Sequence, residues 1–145
     1  MKALLQRVSE ADVTVEGRVV GAIGRGLLVL VGLEPDDDDA RLRRMLERLL
    51  NYRVFPDEEG RMNLSLRDTG GGLLLVSQFT LAADTRKGNR PGFSTAAPPE
   101  QAAEQFARLV EMARDEHDPV GAGEFGAMMA LRLINDGPVT FLLES

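Results

Sequence analysis

The stretch Leu27-Leu28-Val29-Leu30-Val31-Gly32-Leu33 constrains the fold more than any other part of this chain. It is aliphatic at every position but Gly32, so it has no polar face to turn to water. A run of this length is far too short to cross a bilayer. An unbroken aliphatic series fits a strand buried on both faces, which needs a covering layer on each side of the sheet. A chain of 145 residues is long enough to supply both layers. Its 43% apolar and 28% charged content is ordinary for a globular protein.

The flanking segments show what those layers are. Lys2 to Ser9 and Ala11 to Glu16 read as strands, the second with Val13 and Val15 alternating. Gly17 marks a turn, and Arg18 to Ile23 reads as the hairpin partner. Asp36 to Asp39 read as a helix N-terminus, where carboxylates cap free amides and complement the dipole. Leu42, Met45, Leu46 and Leu49 then recur at helical spacing, with Arg41, Arg44, Glu47 and Arg48 on the other side. The acidic run lacks the alternating carboxylates and central glycine of a calcium loop.

Tyr52 to Phe55 reads as a short strand and Pro56 to Gly60 as a turn. Gly70-Gly71-Gly72 precedes a strand running from Leu73 to Leu81. It is no phosphate loop, because neither Gly-Lys-Ser/Thr nor a helix follows. Pro98-Pro99-Glu100 opens a second helix with a stripe of Phe106, Leu109, Val110 and Ala113. Phe125 to Ile134 and Val139 to Leu143 complete the sheet. No linker, low-complexity tract or repeat interrupts the sequence, so residues 1–145 are expected to form a single domain. Strands outnumber helices. The expectation is an α/β fold with a mixed, curved, partly barrel-like β-sheet covered by two main helices.

Several function classes drop out. Without cysteine there is no disulfide framework, thiolate nucleophile or cysteine metal site. Met1 to Arg7 reach polar residues too soon for a signal peptide, and the expected compartment is cytoplasmic. A formal net charge of −6 argues against bulk attraction to nucleic acid. It leaves room for a local patch, since Arg86, Lys87 and Arg90 cluster in one Gly/Pro-rich loop. A solvated loop is the plain reading of that cluster. Its position just after Ser77-Gln78-Phe79-Thr80-Leu81 raises the functional one.

The single histidine, His117, lies among charged residues at an expected helix end and reads as structural or incidental. That argues against a Ser-His-Asp triad and a histidine metal centre, so neither metal nor cofactor is expected. What remains is Ser77-Gln78-Phe79-Thr80-Leu81, closing an apolar strand, and Asn135-Asp136-Gly137-Pro138-Val139-Thr140, interrupting the last two strands. Proline cannot donate to a ladder and glycine weakens one, so the Gly-Pro step is either a plain turn or a positioned backbone device. Thr80 is the best placed hydroxyl, yet no histidine or lysine lies near it in sequence to activate it. By spacing alone, such hydroxyls more often satisfy local hydrogen bonds. Backbone amides at a strand end offer a different tool, a place to hold a developing oxyanion.

These segments carry a resemblance. In order and separation, Gln6-Arg7-Val8, Val13-Thr14-Val15, Gly26-Leu27-Leu28-Val29, Tyr52-Arg53-Val54-Phe55, Met62-Asn63-Leu64-Ser65, Ser77 to Asp84 and Asn135 to Thr140 match the bacterial D-aminoacyl-tRNA deacylases. The chain resembles that family over its whole length. The resemblance implies hydrolysis of the ester joining a D-amino acid to the terminal adenosine of tRNA, and of mischarged glycyl-tRNA. It implies a homodimer that binds the aminoacyl-tRNA 3′ end, while the net charge and the short apolar runs leave neither DNA nor a membrane as an expected partner. It also implies a cis Gly137–Pro138 bond entering the partner's pocket and rejecting L-residues by exclusion, with Arg7 bracing its carbonyls.

By the same resemblance Ser77, Gln78, Phe79 and Thr80 form the catalytic group, the Phe79 and Thr80 amides holding the oxyanion. Phe125, Met129, Asn135, Val139 and Thr140 join Arg7, Gly137 and Pro138 in substrate binding. Arg86, Lys87 and Arg90 face the tRNA. The substrate's 2′-hydroxyl would activate water, which accounts for the missing histidine. Met128, Asn89 and Gly92 depart from the family's common pattern on the tRNA-facing side. Two other classes compete: a non-enzymatic RNA-binding module of this fold, which needs its basic residues and not Gly137-Pro138, and a hydrolase of small D-amino-acid esters, indifferent to Arg86, Lys87 and Arg90.

Overall fold

The structure, a computed structural model, describes residues 1–145. Its spine is one long strand, β1 (Lys2–Val15). The first half of β1 pairs antiparallel with β3 (Gly26–Gly32), and its second half pairs with β2 (Arg18–Ile23). β6 (Gly72–Ser77) lies parallel to β3, and β7 (Val120–Ala122) lies parallel to β6. Along its other edge β1 carries β8 (Ala130–Glu144), antiparallel over nearly its whole length. A separate two-stranded ribbon joins β4 (Phe55–Pro56) to β5 (Met62–Leu64).

The sheet curls until β2 lies against β7. A methyl group on Gly21 would stand 2.6 Å from the Ala122 carbonyl oxygen, so only glycine fits that seam. This is the mixed, barrel-like α/β sheet that the sequence implies. Its residues divide cleanly by face. Leu27, Val29, Val31, Leu73 and Leu75 point toward the helices, while Leu28, Leu74 and Val76 join Val8, Val13 and Ile23 inside the curl. That double burial explains why both central strands are aliphatic without alternation.

Helix α1 (Asp39–Asn51) starts where Asp38 accepts a hydrogen bond from the Arg41 amide, and it buries Leu42, Met45, Leu46, Leu49 and Leu50. Helix α3 (Pro99–Glu116) begins at the Pro-Pro step and buries Phe106, Leu109, Val110 and Ala113, the expected stripe. Between them, α2 (Leu66–Thr69) is a single turn closed by a Ser65–Asp68 capping box.

The structure moves several expected boundaries. Residues 2–15 form one strand, because β8 pairs with them on both sides of two register shifts, at Gln6/Val8 and Val8/Glu10. The short strand after α1 is Phe55–Pro56, since Tyr52 serves as the C-terminal boundary of the helix. β6 stops at Ser77, and residues 79–82 form a 3-10 turn, so Thr80 does not end a strand. Residues 125–129 lie outside any strand, with a turn at 125–126, and Ala130–Glu144 is a single strand with Gly137 and Pro138 inside it. No helix is long and apolar enough to cross a membrane.

Candidate active site

The end of β6 is shaped by backbone contacts. The Gln78 amide donates to the Val31 carbonyl at 2.7 Å, which ties the chain to the neighbouring end of β3. It then winds into the 3-10 turn Phe79–Ala82, in which Leu81 N donates to Gln78 O and Ala83 N to Thr80 O. The Phe79 and Thr80 amides precede the turn's first hydrogen bond, the position where helical turns leave donors unspent. The turn sits directly on Gly32. A methyl group there would lie 3.1 Å from both the Ala82 nitrogen and the Leu81 Cβ.

The Thr80 hydroxyl accepts a hydrogen bond from the Gln78 side-chain amide at 2.5 Å. An amide N–H cannot take a proton from that hydroxyl, so this contact supplies no base of the kind a hydroxyl nucleophile needs. His117 lies elsewhere, its Nε2 2.7 Å from the Gly71 carbonyl oxygen at the end of α3. That contact ties the end of α3 to the glycine run before β6. No group of three His, Cys, Asp or Glu residues is arranged to hold a metal ion.

A cavity of about 870 Å³ opens beside the turn. Ser77, Gln78 and Phe79 form one wall, and Phe125, Met128 and Met129 form the facing one. Phe93, Ser94, Ala96, Ala97 and Pro98, with Pro99 and Ala102 of α3, complete it. Phe93 stacks obliquely on Phe79 with ring centroids 5.4 Å apart, a favourable aromatic arrangement. Both rings remain about half exposed, and Met128 is 91% exposed. Not one residue of the cavity wall carries a titrating side chain.

The second group of expected site residues lies apart from this cavity. In the β1–β8 ladder, Val8 faces Asn135 and Gln6 faces Thr140, so residues 136–139 loop out opposite Arg7 alone. Arg7 fills that position. Its Nε donates to the Asp136 carbonyl at 2.9 Å, and its Nη1 donates to the Val54 carbonyl at 2.7 Å. Its Nε also lies 3.2 Å from the Asp136 carboxylate. From the other side, the Asn135 amide donates to Arg7 O and Val139 O. Thr140 accepts from Gln6, and Val139 is buried. The Gly137–Pro138 peptide is cis, and both residues are exposed.

The basic loop forms a third group, between Asp84 and Gly92, whose backbones pair in both directions. Asp84 chelates Arg86: its Oδ1 takes the Arg86 amide and Nε, and its Oδ2 takes Nη2. The Arg86 guanidinium and amide hold the Asp84 carboxyl far below the ordinary carboxylate range. Lys87 and Arg90 are exposed, and neither makes a salt bridge or side-chain hydrogen bond within the chain.

Phe93, the α3 start, Gly32, Val54 and Asp84 had no site role in the sequence reading, and Val54 and Asp84 stood there only as members of the motif segments. The Pro98-Pro99 step was visible as a helix start, but nothing local tied it to the cavity.

Comparisons with known proteins follow the same outline. The sequence profile described as D-Tyr-tRNA(Tyr) deacylase matches residues 4–144. A D-aminoacyl-tRNA deacylase of Azotobacter vinelandii is 66% identical over 145 residues, covering 100% of both chains. One of Stenotrophomonas maltophilia is 67% identical over 144 residues, covering 99% of both. Among solved structures, a c-Myc DNA unwinding element binding protein superposes with a TM-score of 0.95 at 44% identity, covering 100% of this chain and 99% of that one. A probable eukaryotic D-amino acid tRNA deacylase gives a TM-score of 0.84 at 18% identity, covering 98% and 97%. At that identity the likeness speaks to the fold alone.

Proposed function

Because this chain belongs to the D-Tyr-tRNA(Tyr) deacylase family, and so is a hydrolase, we propose that it cleaves the ester of D-aminoacyl-tRNA, releasing free amino acid and tRNA. The observation that carries this reading to mechanism is the cavity together with the turn at its edge: the turn leaves the Phe79 and Thr80 amides unspent, and the wall offers hydroxyls and aromatic faces but no acid or base. An aminoacyl ester is already activated, so it asks less of an enzyme than an amide does. Water adds to the carbonyl carbon, and the Phe79 and Thr80 amides stabilise the oxyanion that forms. The intermediate collapses with loss of the ribose 3′-oxygen, which takes the proton that the water gives up. The substrate's own 2′-hydroxyl positions the water and relays that proton. Ser77 and Gln78 orient the turn, with Gln78 fixing the Thr80 hydroxyl.

Phe125 and Met129 bound the space for the terminal adenosine and aminoacyl group. The Asn135–Thr140 segment completes the pocket of a second copy, in a homodimer. This is supported by its separation from the cavity of its own chain and by the exposure of Gly137 and Pro138. Its backbone excludes any side chain in the L position, which is discrimination by rejection. Glycine, with no side chain, passes, so glycyl-tRNA is also cleaved. Residues 1–145 act as one domain, and the −6 charge favours a partner held by its 3′ end over duplex DNA.

The test is hydrolysis of matched D- and L-aminoacyl-tRNA by the purified chain, with D turned over and L spared. Equal rates would sink the chirality reading. A terminal 2′-deoxyadenosine should slow turnover strongly, and an unchanged rate would rule out substrate assistance. A fully active monomer in sedimentation would remove the cross-subunit pocket.

A further inference from the structure

Arg86, Lys87 and Arg90 are three cations on one loop, yet the structure treats them differently. Arg86 gives three hydrogen bonds to Asp84, at 3.1, 2.8 and 2.8 Å. Asp84 is also the neck of the loop, since its backbone pairs with Gly92 at 2.8 and 2.9 Å. One residue beyond that neck, Phe93 stacks on Phe79 of the catalytic turn. Thr95 closes the return by donating to the Ala82 carbonyl at 2.6 Å. Gly88, at a φ of +67°, reverses the chain at the tip between Lys87 and Arg90.

The charges sort accordingly. Asp84 and Arg86 together carry no net charge. A phosphate that pulled Arg86 away would uncover the Asp84 carboxylate beside it, so the pair offers a polyanion no net gain. Lys87 and Arg90 have no such counter-ion. We propose that Asp84 and Arg86 form a charge-neutral brace that fixes the loop against the Phe79–Phe93 wall, and that Lys87 and Arg90 alone bind the phosphates of the RNA 3′ end. Asp84 and Arg86 are then positioning residues. This rests on the tRNA reading above.

The experiment measures binding of deacylated tRNA by anisotropy across a salt series, beside steady-state kinetics on D-aminoacyl-tRNA. Each phosphate contact on a single strand contributes about −0.7 to the slope of log K against log salt. The double substitution Lys87→Gln/Arg90→Gln should flatten the slope by about 1.4. Asp84→Asn/Arg86→Gln removes the brace with no net charge change, so its slope should equal that of the unmodified chain. Its KM should rise about two- to fivefold at unchanged kcat, the scale of one well-formed surface pair. A slope flattened by about 0.7 in this second variant would make Arg86 an RNA contact and overturn the proposal. So would an unaltered slope in the first variant, or an unaltered KM in the second. The slopes are read on deacylated tRNA, so they decide the division of roles even if D-aminoacyl-tRNA is not hydrolysed, an outcome that would instead sink the proposed function.

Discussion

The turn after β6 and the Asn135–Thr140 segment are both backbone devices, but they are held in opposite ways. The Phe79–Ala82 turn is fixed by main chain against main chain: Gln78 N on Val31 O, and Ala82 seated on Gly32. The Gly137–Pro138 segment lies outside the ladder and is fixed by side chains, Arg7 from one flank and Asn135 from the other. The contrast teaches where each can be damaged. A device held by main chain fails when something is added beneath it. One held by side chains fails when something is taken away.

The largest effect is expected from adding. Gly32→Ala places a methyl group 3.1 Å from the Ala82 nitrogen, where the backbone must give. Displacing preorganised donors should lower kcat by about 10²-fold while KM changes little. Unchanged kcat in a folded variant would show that the seat on Gly32 does not set the amide geometry.

Next comes removal on the other side. Arg7→Ala deletes two hydrogen bonds from a mostly buried guanidinium, whose side chain is 12% exposed. Stability should fall by on the order of 2 kcal/mol in urea unfolding. The D-to-L ratio of hydrolysis rates should fall by about tenfold or more, the equivalent of 1.4 kcal/mol of lost discrimination. A folded variant with an unaltered ratio would detach Arg7 from selectivity.

Thr80→Ala probes the main-chain device from the side-chain direction and should do little. Loss of one neutral hydrogen bond predicts less than about a tenfold drop in kcat. A drop of about 10⁴, the scale of triad knockouts, would instead mark the hydroxyl as a nucleophile.

The smallest effect lies at the outer support of the Arg7 side, downstream of Val54. Hydrogen bonds from Asn63, Arg61 and Glu59 hold the Asp57 carboxyl below its ordinary value. A depressed carboxylate adds stability above its unfolded pKa of about 3.9 and loses it as pH falls through the folded value. Asp57→Asn should therefore be slightly less stable than the unmodified chain at neutral pH, with the gap closing in acid and kcat unmoved. A gap that stayed constant down to pH 2 would exclude this linkage.

The same contrast separates what the sequence made legible from what it hid. The aliphatic run of β3, the stripes of α1 and α3 and the β1–β2 hairpin were readable because periodicity and caps are local signals. The turn at Phe79–Ala82 was not, because Leu73 to Leu81 is β-prone throughout and the chain is diverted by Val31 and Gly32, far away in sequence. The continuity of β8 was hidden for a related reason. Gly-Pro looks like a break unless Arg7 and Asn135 are known to supply the missing support. The motif residues could be named, but their division between a cavity and a distant projection is a property of the β1–β8 register. Phe93 joined the cavity through a loop closure that no spacing in the sequence records.

A cavity wall without a single titrating side chain has a consequence for how this enzyme meets its surroundings. Enzymes that work through acids and bases carry a bell-shaped dependence on pH, drawn by their own residues. On the mechanism proposed above, the cavity wall contributes no limb to such a curve. What would ionise at the reacting centre under that mechanism is the α-amino group of the bound amino acid and the attacking water. The acidity profile of the reaction is then a property of the cargo, and changing the amino acid should shift it more than any substitution in the wall.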